Sequence, residues 1–205
     1  MERRIITISR EFGSGGRELG KQLSEILKIK YLDNEIVEAV AKETDLDPAY
    51  ISRSFDSGLT NFKPTFEHSF SSVSVMANSA MLIAKQHNII KELVKHDDYI
   101  IIGRGANAIL TDLKPFNIFV YADMQSKIAR CKARMCDSEH MSDKELEKKI
   151  ISIDKGRKRT HDLYSNYAWG DKVGYNLCVN TSNLKIEDIA PIIAQYALNY
   201  FNSIK

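Results

Sequence analysis

The sequence predicts an α/β fold, a five-stranded parallel sheet with helices between its strands, on three observations. Short strand-like runs recur at residues 5–8 (IITI), β-branched and composed like a buried strand, at 99–102 (YIII), a continuous apolar run of the kind covered on both faces, and at 116–122 (FNIFVYA). Between them lie stretches whose apolar residues repeat at three- and four-residue steps, the helical period. The first run also passes straight into a glycine-rich turn and then a helix, the order that opens a βαβ unit. At 205 residues and 43% hydrophobic content the chain can bury one such core, and no second domain is required.

The opening run, Ile5, Ile6, Thr7 and Ile8, ends at Ser9, Arg10, Glu11 and Phe12. Gly13, Gly15 and Gly16 then permit backbone angles and a closeness of approach that side chains forbid. Leu19, Leu23, Ile26 and Leu27 follow at i, i+4, i+7 and i+8, one face of a helix that begins near Gly16 or Arg17. A helix start reached through glycines presents free N–H groups and the positive end of the helix dipole, which attracts phosphate. Two templates compete for this turn. The dinucleotide fingerprint GxGxxG needs glycine at position 18, where Glu18 stands. The template GxxxxGK[ST] puts Gly16, Arg17 and Glu18 where glycine, lysine and a hydroxyl residue belong, so it too fails as written. Arg17 nonetheless supplies a fixed charge and a planar fork of donors, with Lys21 one turn further on. The turn reads as a phosphate-binding loop of Gly13, Ser14, Gly15, Gly16, Arg17 and Glu18, or as a tight connection with Arg17 in solvent.

Residues 30–33 form a second strand that delivers Asp33, either as the cap of the next helix or as a site residue with Glu35. That helix turns Ile36, Val37, Val40 and Ala41 inward. Asp47 and Pro48 open a short helix predicted to end at Ile51. Residues 53–72 are rich in serine yet hold Phe55, Phe62, Phe66 and Phe70, which require cover: a loop on its own domain, a lid over an acceptor, or a dimer contact. A long amphipathic helix spans 75–94, and the third strand, 99–102, delivers Gly103, Arg104 and Gly105 at its carboxyl end, where ligands sit in open α/β sheets. Arg104 is there either to meet an acceptor phosphate or as a surface arginine in a turn.

A short helix at 107–113 precedes the fourth strand, 116–122. The next helix is predicted to turn Met124, Ile128, Cys131 and Met135 inward, with Arg130 and Arg134 along one basic edge. Ser142 to Glu145 is a capping box for a helix that buries Leu146, Ile150 and Ile153. Its later turns carry Lys155, Arg157, Lys158 and Arg159, a solvated face or a cluster that meets phosphate. Tyr164, Tyr167, Trp169, Gly170 and Asp171 form a loop, 175–181 the fifth strand, and 186–201 a closing helix with Pro191 in its opening turns.

A net charge of +2 makes no global case for a nucleic-acid or membrane partner. Cys131, Cys136 and Cys178 are odd in number without CxxC spacing, which argues for reduced thiols and a cytoplasmic protein. The five histidines share no metal-ligand spacing, so no protein-bound metal is expected. Neither a signal peptide nor a spanning segment is expected.

The segments ITISREFGSGGRELG, KYLDNEIV, IIIGRGAN and WGDKVGYNLCVNTS, in that order, resemble the cytidylate kinase-like proteins, a divergent branch of the nucleoside monophosphate kinases among the phosphate-loop NTPases. The resemblance covers most of the chain. It implies a three-layer, adenylate-kinase-like fold, with an acceptor-side insertion at about 45–72 and a lid at about 137–172. It also implies transfer of the γ-phosphoryl group of ATP to a nucleoside monophosphate, cytidylate first, with Mg2+ bridging the donor phosphates. In that scheme backbone N–H groups of residues 13–17 hold the donor. Asp33 and Glu35 meet base or ribose, and Arg104 holds the acceptor phosphate. Arg17, Arg130, Arg134, Arg157 and Arg159 surround the transferred charge. The implied partners are small nucleotides, with a homodimer as a further expectation. The missing lysine and hydroxyl leave two other functions open: a nucleotide-binding regulatory protein with little turnover, and a kinase of a non-nucleotide small acceptor.

Overall fold

The computed structural model describes residues 3–57, 72–135, 141–163 and 165–204, the backbone alone at 57 and 72–79. β1 (Ile5–Arg10) lies mid-sheet because Ile5, Ile6 and Ile8 have no exposed surface and need cover on both faces. It pairs in parallel with β3 (Tyr99–Ile102), Ile6 beside Ile100, and with β4 (Phe116–Tyr121), Ile6 beside Phe116. β2 (Lys30–Leu32) adds beyond β3 and β5 (Leu177–Asn180) beyond β4. The order is therefore β2-β3-β1-β4-β5, parallel throughout. The chain leaves β1 toward β2 at one edge of the sheet and leaves the neighbouring β3 toward β4 on the other side, which opens a crevice outside the carboxyl ends of β1 and β3.

Side chains alternate across the sheet. Ile6, Ile8, Ile100, Ile102 and Phe116 face α1 (Gly16–Leu27) and α8 (Ile186–Ser203), whose Leu19, Leu23, Ala190 and Ala197 are buried with them. Ile5, Tyr99 and Ile101 face the other way, onto Ile36 of α2 (Asn34–Thr44), Ile90 of α4 (Ser72–Leu93) and Ala106 of α5 (Ala106–Ile109). Each isoleucine so buried contributes roughly 1.5–3 kcal/mol relative to exposure. These are the helix, sheet and helix layers of the predicted α/β fold.

α3 (Pro48–Ser57) runs six residues past its predicted end at Ile51. Tertiary packing extends it: Phe55 is 4% exposed among Val40, Ile51 and Leu82, and its carbonyl accepts a hydrogen bond from Thr160 Oγ1 at 3.0 Å. Phe62, Phe66 and Phe70, with the choice among loop, lid and dimer contact, lie outside the described residues. α6 (Met124–Ala133) departs further from its pattern. Met124, Ile128, Cys131 and Met135 are only half-buried, and the buried residue is Lys127. α7 (Asp143–Asp162) starts on the predicted capping box, with Ser142 and Glu145 each accepting from the other's backbone N–H, and buries Leu146 and Ile150. Ile153 is half-buried. Cys131 and Cys178 are free thiols, and Cys136 lies outside the described residues. Among the described residues no helix is long and apolar enough to cross a membrane.

Candidate active site

The glycine turn connects β1 to α1 with Gly13 and Gly15 in the left-handed region, at φ 78° and 87°. A Cβ on Gly13 would lie 2.9 Å from the Lys127 carbonyl oxygen, so α6 packs directly on the loop. Ser14 is fully buried and serves the loop itself: its hydroxyl donates to Glu11 O at 2.9 Å, and its carbonyl accepts from Thr181 Oγ1 at 2.7 Å. No side chain caps α1. Its first-turn N–H groups are thus open to an anion, and the dipole favours one there.

The charged residues sort into distinct sets. Arg17 is half exposed, with Nε 2.6 Å from Asp33 Oδ2. Asp33 occupies the cap position of α2 but makes no capping bond with its side chain; it also stands 3.9 Å from Arg10. Glu35 turns back to accept from the Asp33 backbone N–H at 2.8 Å. Arg134 pairs with Glu18 at 2.7 Å. Arg130 is committed to backbone, donating through Nη2 to the carbonyls of Thr181 and Leu184. Arg157 donates to Arg10 O at 3.2 Å, stands 3.5 Å from Asp56 and lies over the Phe12 ring. Arg159 is exposed, whereas the next residues, Thr160 and His161, are buried, and it lines neither cavity below. Arg104 adopts φ 57° between two glycines at φ 66°, a turn that aims its side chain back over Phe55, and its buried Nε has no hydrogen-bond partner among the described residues.

Two cavities meet at this edge of the sheet. One, of about 250 Å³, lies under the glycine loop against Arg17, Arg134 and Met141. The other, of about 50 Å³, lies beyond the ends of β1 and β3, against Ser9, Arg104, His161 and Trp169. Arg10, Asp56 and Arg157 line both. Of these three the sequence singled out only Arg157. Arg10 carries one signal, its place as the last strand residue before the glycines. Asp56 carries none, because it sits on the part of α3 that the pattern did not reveal.

A second group escaped the pattern altogether. Lys127 Nζ lies 2.6 Å from Glu11 and 3.4 Å from Asp154, while Asp154 accepts from the Phe12 backbone N–H at 2.7 Å. This triad ties the start of the loop to α6 and α7. Burial raises the Asp154 carboxyl above the ordinary range, a larger effect than the lowering by the Phe12 N–H and Lys127. Burial, reinforced by Arg157, pulls the Arg10 guanidinium down to about 9, and burial lowers Arg104 as well. Three arginines therefore face the smaller cavity, and among the described residues Asp56 is the one acid lining it, which leaves excess positive charge for an anion to neutralise.

His161 forms part of the inner wall, 3% exposed, 3.3 Å from Asn107 Nδ2, which also donates to Tyr167 Oη at 3.3 Å. Burial lowers its pKa and that of His87. Both are then neutral in the fold but protonate near the ordinary value when unfolded, so their contribution is present above about pH 6.5 and lost as pH falls below it. The urea midpoint is expected to fall between pH 7 and pH 5, and to fall less in the His87→Gln, His161→Gln double variant. An unchanged pH slope in that variant would remove the histidines as the cause.

A model of the cytidylate kinase-like family matches residues 5–183. The chain belongs to this family. No curated protein matches this cytidylate kinase-like chain. The crystal structure of an uncharacterized protein from Eubacterium ventriosum ATCC 27560 is similar at 25% identity and a TM-score of 0.70, over 95% of this chain and 98% of that one. Two shikimate kinases share the fold. The Bacteroides thetaiotaomicron enzyme is 13% identical with a TM-score of 0.56, over 94% of this chain and 97% of its own. The Acinetobacter baumannii enzyme, in complex with shikimate, is 15% identical with a TM-score of 0.54, over 97% and 94%. The cytidylate kinase-like chain thus has the phosphate-loop kinase fold, with its glycine turn after the central strand.

Proposed function

We propose that the protein transfers the γ-phosphoryl group of ATP to a small anionic acceptor, a nucleoside monophosphate with cytidylate first. The observation that carries this is the meeting of two cavities at Arg10, Asp56 and Arg157, one beneath the glycine loop and one beside Arg104. Donor phosphates would lie against the N–H groups of residues 13–17 near Arg17. The acceptor phosphate would meet Arg104, whose buried Nε has no hydrogen-bond partner among the described residues. An acceptor oxygen attacks the γ-phosphorus as the bond to the β–γ bridging oxygen breaks, and the electron pair leaves on ADP. No proton need move, because a monophosphate oxygen is already ionised. Catalysis then rests on positioning and on charge around the transferred group, with Arg157 and Arg134 on the α6 and α7 side. Arg130 would act indirectly, by holding the end of β5 against the loop.

The residues fit a polyphosphate well and a magnesium ion in part. At the loop's hydroxyl position stands Glu18, tied to Arg134, and the Ser14 hydroxyl points inward to Glu11. Asp56, the carboxylate common to both cavities, is the group that would hold the ion. When bound, magnesium neutralises charge on the donor phosphates.

An ADP-coupled assay over CMP, dCMP, UMP, AMP and shikimate, with magnesium, tests the function. Turnover with a monophosphate is expected, and Arg104→Ala should raise that acceptor's KM at least tenfold with the ATP KM changed less than threefold. ATP binding without transfer to any acceptor would instead make this a regulatory nucleotide-binding protein. The small size of the acceptor-side cavity, about 50 Å³, favours a second reading, a kinase of a compact non-nucleotide acid. Turnover with shikimate and with no monophosphate would select it, and the hydroxyl proton would then pass to Asp33 or Asp56.

A further inference from the structure

We propose that Arg10 is the catalytic cation of this loop, reaching under it from the end of β1 to contact the phosphoryl group in transit between the two cavities. By sequence position Arg17 replaces the usual loop lysine, but Arg17 is 53% exposed, is turned to Asp33 and lines only the donor-side cavity. Arg10 is 12% exposed and lines both.

Two glycines make room for it. A Cβ on Gly16 would lie 2.6 Å from Arg10 Cβ and 3.0 Å from Cγ, so the stem of Arg10 runs where a side chain from position 16 would project. A Cβ on Gly103 would lie 1.8 Å from Arg10 Nη1, so the guanidinium ends against the turn that presents Arg104. One side chain thus spans from the first residue of α1 to the acceptor turn. Its charge is poorly compensated by the protein. The one ion pair it makes among the described residues is with Asp33 at 3.9 Å, and Arg104 and Arg157 crowd it with like charge. The lowered basicity noted above agrees with this, since a guanidinium held so reluctantly charged gains most from an arriving anion. The group also keeps its planar fork of donors, suited to the equatorial oxygens of a moving phosphoryl group.

This assignment rests on the phosphotransfer function proposed above, and the experiment separates the two. Wild type, Arg10→Met and the double variant Arg10→Gly with Gly16→Lys, in which no Cβ at position 10 meets the new one at position 16, are compared for unfolding temperature without anion, for its rise with pyrophosphate, and for ATP turnover. Arg10→Met is expected to unfold no lower than wild type in the absence of anions, because it removes a poorly compensated buried charge and leaves Asp33 paired with Arg17, and to lose the rise that pyrophosphate gives wild type. Its turnover should fall at least 100-fold. The double variant should recover at least tenfold of that loss, since a lysine stem at position 16 takes the path that Arg10 vacates. Equal rises with pyrophosphate in wild type and Arg10→Met, or none in wild type, overturn the assignment even if no acceptor is ever found. Turnover within threefold of wild type in Arg10→Met overturns it while leaving the kinase function standing. Wild-type binding of pyrophosphate without ATP turnover, lost in Arg10→Met, sinks the function and keeps Arg10 as the anion site.

Discussion

Lys127→Met is expected to destabilise the protein by about 3–5 kcal/mol at pH 8, the usual cost of removing one partner from a buried ionic group. Lys127 is 6% exposed, and its ammonium is the counter-charge of both Glu11 and Asp154, whose side chains are 25% and 15% exposed. Methionine fills the volume but leaves two partly buried carboxylates facing each other. The loss should also depend on pH in a definite direction. Burial already raises the Asp154 carboxyl, and without the lysine that lowers it Asp154 titrates higher still, so the folded state binds more protons than the unfolded chain and stability falls as pH rises through that range. Urea midpoints at pH 5 and pH 8 check this, with the deficit smaller at pH 5. A deficit below about 1 kcal/mol at both pH values would mean that the triad does not hold the loop. Replacing all three members by apolar residues should cost less than Lys127→Met alone, because the desolvation of the two acids disappears with them.

Arg157→Ala is expected to lower kcat by about 100- to 1,000-fold, the range seen when a donor aimed at transition-state charge is removed. Arg157 lies between the two cavities, donates to the Arg10 carbonyl and is held in place by Asp56 and the Phe12 ring, so its free donors are fixed before any ligand arrives. Because charge on the equatorial oxygens changes most during transfer, the loss should fall on kcat more than on either KM. Arg157→Lys should recover only part of it, having the charge without the fork. Lys158→Ala, one residue further along the same helix and paired with Asp162 on its exposed side, is the control and should stay within twofold. A KM rise with unchanged kcat in Arg157→Ala would assign the residue to ground-state binding instead.

How far the site could be read in advance differed among its parts. The glycine loop was legible because its signal is local: a buried strand, residues free to take positive φ and an amphipathic helix, all within about twenty positions. Arg104 was legible for the same reason, as it follows directly on β3. The α6 and α7 arginines appeared as one basic cluster, yet Arg130 is tied to carbonyls near β5, Arg134 to Glu18, Arg157 to Asp56, and Arg159 faces outward. Helical periodicity places charges on a face but does not say what lies opposite that face. Lys127 shows the limit most clearly, since the apolar spacing of α6 pointed to its neighbours and hid the lysine. An ion pair with Glu11 inverted the usual preference.

By itself the sequence determined the α/β fold, the run of its strands, the place of the phosphate-type turn and the family, because each depends on patterns carried by contiguous residues. Only the tertiary structure decided which charges meet. Arg157 binds a carbonyl 147 positions away, Lys127 an acid on each of two other segments, and Arg10 a space left by two glycines that the chain brings together only when β1 and β3 pair. Partners that far apart are chosen by the packing of whole elements, since the field of a buried charge acts through space and takes no account of position along the chain.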